Sequence, residues 1–389
     1  MKEIKYADFP LNEYQMRVQR VQQAMEQTAL DALVITDPAN LRYLFGFQNL
    51  LQLSATRLFA GVFPREAPEQ ATLFIPHDCQ DAPQSWVENV TFWSAGQEPP
   101  FDDRTADIGI VAERIQELGL NEGRLGLELG AGMRLGMPVE QFDRLRALLS
   151  KADIIDAAPI WWSVRRIKSE AEIAVLQRIT SISAKAINDA LEHLHEGITE
   201  RELYCEVHSR MFAEGADGQS LLGVLFGTEG WRRANMAPTD ERVLETGDWV
   251  YLDGGGMLQG YSADICRMGV LGKPSGEQQA ALDAVEAANE AMITAIRPGV
   301  PCSEIYRVGR AVLEERGWGG AIGSLSMGHG IGLNVHEMPD INLYNDEPLE
   351  EGMVIAVEPW MLDRSPTVGL FNREDMVVVR RSGAQVLSE

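Results

Sequence analysis

Lysine is scarce in this chain. It occurs only at Lys2, Lys5, Lys151, Lys168, Lys185 and Lys273, so nearly all positive charge is arginine. Bases are outnumbered as well: 34 Lys and Arg stand against 58 Asp and Glu, for a net charge of −24. A surface of that sign repels phosphate backbones and anionic headgroups, which argues against nucleic acid or membrane as a partner. It suits a saline environment, and compositional drift over a solvated surface gives the same pattern. Cysteine is limited to Cys79, Cys205, Cys266 and Cys302. Their scatter, without CxxC spacing, indicates neither a disulfide framework nor a cysteine zinc site. Buried free thiols in a reducing compartment are the expectation. No apolar run approaches the roughly 18 residues of a membrane span. The opening MKEIKYADFPLNEYQ lacks the apolar core of a signal peptide. The expectation is a cytoplasmic protein.

What is present is globular. The chain has 389 residues, 45% hydrophobic and 24% charged, enough for one large domain or two ordinary ones. Helical periodicity covers 12–29, followed by a short buried strand at 32–36 and a break at Asp37-Pro38. Strand-like runs recur at 58–63, 71–75, 90–93, 124–129 and 154–155, with helices near 104–118 and 138–149. This alternation reads as a small α/β layer domain over 1–160. A second regime fills 161–389. Ser169-Glu170-Ala171-Glu172 is a capping-box start for a long helix to about His195, and a second helix runs from about 198 to 215. After an intervening hairpin, 275–296 and 303–317 repeat that layout, separated by Arg297-Pro298-Gly299-Val300-Pro301. Strands near 353–358 and 372–379 close the chain. The C-terminal half therefore reads as a duplication of helix pair plus antiparallel strands, and the fold class as α+β.

The intervening hairpin carries two aspartates. With its loop centred on Leu258-Gln259, Asp253 faces Asp264 on one sheet face, where like charges repel unless they hold a cation. Of the six histidines, His77, His193, His195 and His208 read as surface or satisfied-core residues. His329 and His336 differ, lying seven residues apart in the glycine-rich run Gly328-His329-Gly330-Ile331-Gly332 and beyond. Glu358 ends an apolar run before Pro359, and Glu374 opens another. A carboxylate at the end of a core strand is costly unless paired or metal-bound. Four crowded carboxylates would be balanced by two divalent ions. Oxygen-rich ligation with one imidazole suits Mn²⁺, Fe²⁺, Co²⁺ or Zn²⁺, roughly 3.5–4 Å apart as in two-metal hydrolases.

Asp253-x10-Asp264, Gly328-His329-Gly330-Ile331-Gly332 with His336-Glu337, Val357-Glu358-Pro359 and Glu374-Asp375 together resemble the pita-bread metallopeptidases. The two-domain layout is similar to the aminopeptidase P, prolidase and creatinase branch. Thr36 to Phe47 resembles that branch's N-terminal domain, and Arg166-Ile167-Lys168-Ser169-Glu170 its domain junction. The resemblance implies a C-terminal pita-bread fold preceded by a smaller creatinase-like domain. It implies Asp253 on one ion, His329 and Glu358 on the other, and Asp264 and Glu374 bridging both. The two ions would be Mn²⁺ ahead of Co²⁺, Fe²⁺ or Zn²⁺. A water or hydroxide between them would be the nucleophile, with Glu358 as proton shuttle and His336 as hydrogen-bond donor to the substrate carbonyl. A homodimer acting on a small peptide or small molecule is also implied.

The chain departs from that pattern in its substrate shell. The family's histidine seventeen residues before the first metal aspartate is Met236 here, and the one four residues before the metal histidine is Leu325. The arginine two residues before the last glutamate is Asn372, with Arg373 adjacent instead. Trp231, Arg233, Met236 and Arg373 are the candidate pocket residues; an arginine among them could grip a substrate carboxylate bidentately. The leading expectation is a dinuclear metal hydrolase cleaving an amide C–N bond, an Xaa-Pro peptidase by family default. The alternatives are a small-molecule enzyme on the same fold, creatinase-like or dimethylsulfoniopropionate-lyase-like, and a non-catalytic binding module.

Overall fold

The computed structural model describes residues 1–2, 7–54, 57–79, 84–93, 108–228, 236–363 and 368–388. It divides into two compact units, Met1–Arg165 and Arg166–Glu389.

In the first unit, α1 (Leu11–Gln27) buries Tyr14, Val18, Val21 and Met25 on one helical face. The sheet consists of β1 (Ala32–Ile35), β2 (Ala60–Pro64), β3 (Thr72–Pro76), β4 (Asn89–Trp93), β5 (Arg124–Leu127) and β6 (Asp153–Asp156). Its order is β4-β3-β2-β1-β5-β6. The β1-β2 and β2-β3 pairs are antiparallel, and the β3-β4, β1-β5 and β5-β6 pairs parallel. Helices α3 (Gly109–Glu117) and α4 (Val139–Leu148) contribute Val111, Ala112, Ile115 and Leu145 to its core. Residues 104–107, expected to begin the first of these helices, lie outside the described residues.

Asp37-Pro38, read as a break, instead starts α2 (Pro38–Phe45). Proline at the first helical position has no N–H to lose, and its fixed φ already suits a helix. The Asp37 side chain accepts from the N–H groups of Ala39 and Asn40, capping the helix it was expected to interrupt. α5 (Ala158–Arg165) closes the unit.

In the second unit, helix pairs alternate with antiparallel sheets twice. The first pair is α6 (Glu170–Glu192) and α7 (Glu200–Ala213); the second is α8 (Gly276–Ala295) and α9 (Cys302–Glu315). Three of these helices begin with reciprocal capping boxes, Ser169/Glu172, Thr199/Glu202 and Ser275/Gln278. Each box satisfies two backbone donors that a helix start leaves over.

The first sheet contains β7 (Gly218–Phe226), β8 (Trp249–Leu258), β9 (Tyr261–Ser262) and β10 (Ile265–Val270), with β8 central. The second contains β11 (Ser326–Gly330), β12 (Glu337–Asn342), β13 (Val354–Val357), β16 (Asp375–Arg380) and β17 (Gly383–Val386), ordered β12-β11-β13-β16-β17. Between β13 and β16, β14 (Met361–Asp363) pairs with β15 (Gly369–Phe371). One core of aliphatic residues and Met from α8, α9, β13 and β16, including Val285, Met292, Ile305, Ile355 and Val377, underlies the second half.

The hairpin register differs from the expected one. Leu258 pairs with Tyr261, so the turn is Gln259-Gly260, not Leu258-Gln259. Both turn residues have positive φ, 50° and 77°, as a two-residue type I′ connection requires; glycine takes the second place without strain. The shift moves Asp253 opposite Cys266 rather than Asp264. It moves the register by two residues, so Asp264 stays on the same side as Asp253, one diagonal step away.

Candidate metal centre

Asp253 lies in the middle strand β8, and Tyr251, two residues earlier, projects to the same face. The next residue, Gly254, has φ 134°, and a Cβ there would lie 1.8 Å from Leu221 O. Only glycine lets the β7-β8 ladder pass its irregularity beside the aspartate. Asp264 sits in the two-residue interruption between β9 and β10. Glu374 immediately precedes β16, and its N–H and C=O exchange hydrogen bonds with Cys266 at 3.3 Å. That bridge ties the two sheets together and brings Glu374 against Asp264. His329 is on β11, opposite Ala356 of β13. Glu358 follows β13, its N–H bonded to Met327 O at 3.1 Å. At Gly328, beside His329, φ is 148° and an added Cβ would lie 2.3 Å from Ala356 O. The close approach of β11 to β13 therefore depends on that glycine.

These elements converge five side chains. His329 Nε2 lies 3.8 Å from Asp264 Oδ2, 3.7 Å from Glu358 Oε1 and 4.0 Å from Glu374 Oε1. Ligand atoms of Asp253, Asp264 and Glu374 fall within 4.8 Å of one another. The same holds for His329, Glu358 and Glu374, and for Asp264, His329 and His336. Glu374 is common to the first two groups and Asp264 to the first and third. His329 Nδ1 is 3.0 Å from Gly330 O. Donating its N–H there leaves Nε2 with a lone pair facing the carboxylates, the tautomer a metal ligand needs.

The electrostatics are those of crowded acids without counter-charge. Burial pushes Glu374 well above the usual carboxylate range, and Asp264, Glu358 and Asp253 push it further. Asp264 moves the same way through burial and then the charges of Asp253 and Glu358. Glu358 rises to about 8 through burial and the Asp253 charge. Asp253 is also raised by burial, against the opposing pull of hydrogen bonds with Glu374 and Tyr251. His329 falls to about 4, from burial and the neighbouring His336. Asp253 Oδ1 and both Glu374 oxygens are buried and meet no N–H or O–H donor among the described residues. A proton shared between the two carboxyls is their remaining source of a hydrogen bond, unless cations sit there. Divalent cations fit: they would supply the missing partners, return all four acids to the ionised form and accept the free imidazole nitrogen.

The other expected site residues are placed less uniformly. His336 is exposed and its ring centroid lies 4.3 Å from that of His329, so it stands at the open side of the cluster. Met236 is exposed, at φ 52°, and its methyl carbon Cε is 3.0 Å from where a Cβ on Gly223 would be; Gly223 pairs with Asp253. Its thioether therefore lies over β7 beside the cluster. Arg373 Nε donates to Asp375 Oδ2 at 3.0 Å, which turns it to a carboxylate behind the strand. Leu325 is exposed. Trp231 and Arg233 lie outside the described residues.

Two contributors escaped the sequence reading. Tyr251 donates its hydroxyl to Asp253 Oδ2 at 2.6 Å. The period-two alternation of a strand was a sufficient signal for it. Lys168 Nζ lies 3.2 Å from Glu337 Oε2, both side chains fully buried, directly after His336. No local pattern links residues so far apart in the chain.

The family model for metallopeptidase family M24 matches residues 174–381, and that for the creatinase/prolidase N-terminal domain matches 17–167. The chain is 26% identical over 375 residues to an Xaa-Pro dipeptidase of Pyrococcus horikoshii, covering 96% of this chain and 97% of that relative. Among solved structures, a prolidase from Thermococcus sibiricus superposes with a TM-score of 0.84 at 26% identity, covering 97% of each chain. An Xaa-Pro dipeptidase from Bacillus anthracis gives 0.82 at 25% identity, covering 97% of this chain and 98% of that one.

Proposed function

The chain belongs to metallopeptidase family M24, and from that premise we propose that it is a dinuclear-metal Xaa-Pro peptidase centred on Asp253, Asp264, His329, Glu358 and Glu374. Membership makes it a metal-dependent peptidase with the two-domain creatinase-type architecture. One observation carries the finer reading. Three buried carboxylate oxygens, Asp253 Oδ1 and both of Glu374, belong to a cluster of four acids and one imidazole and meet no donor among the described residues.

The close groups support a division of roles. Asp253 falls in a group with Asp264 and Glu374, and Glu358 in one with His329 and Glu374. Asp253 would hold one ion and His329 and Glu358 the other; Glu374, common to those two groups, would bridge, and Asp264 would bridge with it on the family resemblance. Bound there, two divalent ions supply Lewis acidity and lower the pKa of the attacking water, with Mn²⁺ the first candidate and Co²⁺, Fe²⁺ or Zn²⁺ behind it.

The protein's own groups do the rest. Glu358, less enclosed than Glu374, takes the proton of the water on a carboxylate oxygen and passes it to the departing amine nitrogen. His336, on the open side, donates to the substrate carbonyl as its oxygen gains charge. The carbonyl C–N bond breaks, leaving a free carboxylate and the imino acid. The relatives' Xaa-Pro specificity supports peptides as substrates. A homodimer is proposed on the family resemblance alone.

Met236 favours a second reading. A thioether stands beside Gly223 and Asp253 where a hydrogen-bonding imidazole was expected, which suits a small substrate gripped through apolar contact. A panel on the Mn²⁺-loaded protein separates the two: Xaa-Pro dipeptides, longer Xaa-Pro peptides, creatine and dimethylsulfoniopropionate. Cleavage of Xaa-Pro dipeptides is expected. Turnover confined to creatine or dimethylsulfoniopropionate would overturn the peptidase reading in favour of the second.

A further inference from the structure

We propose that Tyr251 is a positioning residue that fixes the Asp253 carboxylate and so sets how tightly this chain holds the ion on the Asp253 side. The inference rests on the metal-centre reading above. Tyr251 and Asp253 share one face of β8, and the phenol donates to Asp253 Oδ2 at 2.6 Å. Tyr251 is buried at 4% exposure, so its hydroxyl is not exchanging that bond with bulk water.

Among the described residues, the strands beside Asp253 leave the task to this one group. On β7, the residue paired with Asp253 is Gly223, which has no side chain. On β10 it is Cys266, whose thiol is directed to Asn372 O at 4.0 Å. Neither strand neighbour offers Asp253 a hydroxyl. The two oxygens of Asp253 are thereby made unequal: Oδ2 is tied to the phenol, while Oδ1 meets no donor among the described residues. A carboxylate held in this way presents Oδ1 to the cluster in a fixed orientation. The phenol also draws negative charge toward Oδ2, which moderates the basicity of the ligand. Outer hydrogen bonds of this kind typically govern about 10–100-fold in metal affinity.

The ring is held in place for the purpose. Tyr251 pairs with Leu225 on one side and Met268 on the other. Its Cε1 is 3.7 Å from where a Gly223 Cβ would be, so the bare glycine makes room for the ring beside the aspartate.

The test is Mn²⁺ and Co²⁺ titration of the metal-free chain by calorimetry, with the Co²⁺ absorption spectrum recorded at each addition. The Tyr251→Phe variant keeps the ring and removes only the hydroxyl. It should bind one of the two ions about 10–100-fold more weakly, leave the other unchanged and alter the Co²⁺ bands of the weakened site. Leu225→Val, which trims the packing beside the ring but not the hydrogen bond, should leave both affinities and both spectra as in the parent. Equal affinities and identical spectra in Tyr251→Phe and the parent would overturn the role of Tyr251 while leaving the metal centre standing. Equal weakening in Leu225→Val would reduce Tyr251 to a packing residue and overturn it too. A parent chain that binds no ion would overturn the centre itself, and this inference with it.

Discussion

Lys168→Met should loosen the turn that carries His336, and the geometry sets the size of the effect. Lys168 Nζ and Glu337 Oε2 are 3.2 Å apart, with both side chains 1% exposed. Glu337 Oε1 also accepts the Asn334 N–H at 3.1 Å, and Gly332 packs against the carboxylate so closely that a Cβ there would lie 2.8 Å from Oε2. The pair thus anchors both ends of residues 332–337, with His336 between them. Removing one partner of a buried ion pair costs about 3–5 kcal/mol, because the remaining charge keeps its desolvation cost. Glu337 retains the Asn334 N–H, which places the expected loss near the lower end, about 3 kcal/mol. For a unit of this size that is a fall in midpoint of about 6–12 °C. The assay is thermal unfolding of the metal-free chain at pH 7, followed by circular dichroism. Lys168→Met combined with Glu337→Leu should recover much of the loss, since the double variant buries no charge at this point. A single variant that unfolds within about 1 °C of the parent would refute the reasoning, because a pair this deeply buried cannot be removed at so small a cost.

Three further outcomes follow from the cluster. Asp264→Ala and Glu374→Ala should each abolish metal-dependent turnover, each removing a carboxylate proposed to bridge the ions; retained activity in either would refute the ligand assignment. His336→Ala should lower kcat by about 10²–10³-fold with metal content unchanged, the usual cost of losing one oxyanion donor; unchanged kcat would remove His336 from the reaction. The third concerns pH. Glu358 sits at about 8 in the folded metal-free chain against an ordinary 4.5, so the folded state keeps a proton that the unfolded state releases. Its contribution is fully present below pH 4.5 and is lost as pH rises through about 8, on the order of 5 kcal/mol across that window. Denaturant unfolding of the metal-free parent and of Glu358→Gln from pH 5 to 8 should show a steeper decline in the parent, and saturating Mn²⁺ should remove the difference. Parallel curves without metal would contradict the shift.

Much of this was readable from the chain because the relevant features are local. His329 lies among glycines, Glu358 ends an apolar run and Glu374 opens one; a charge at the end of a core strand is conspicuous in any sequence. The sequence pattern sets Asp253 directly opposite Asp264. The two-residue shift to Asp253 opposite Cys266 escaped notice because the turn type depends on Gln259 adopting positive φ, which its side chain does not advertise. The error was mild, since a slip by two preserves the face. Asp37-Pro38 misled for a related reason: proline marks a helix start as readily as a break, and only the Asp37 cap decides which. The strand β7 was missed because its first half is exposed on alternate residues and its glycines resemble punctuation. Lys168 with Glu337 and the Cys266-Glu374 bridge join segments distant in the chain, and nothing short of the tertiary fold reveals them.

Metal content decides whether the five proposed side chains hold two ions. The chain is stripped with chelator, loaded with Mn²⁺, desalted, and its metal counted by plasma mass spectrometry alongside Glu374→Ala. About two ions per parent chain are expected, as a two-metal hydrolase requires, with a clear deficit in the variant. Fewer than about one ion per parent chain, or equal loading of parent and variant, would contradict the two-ion assignment.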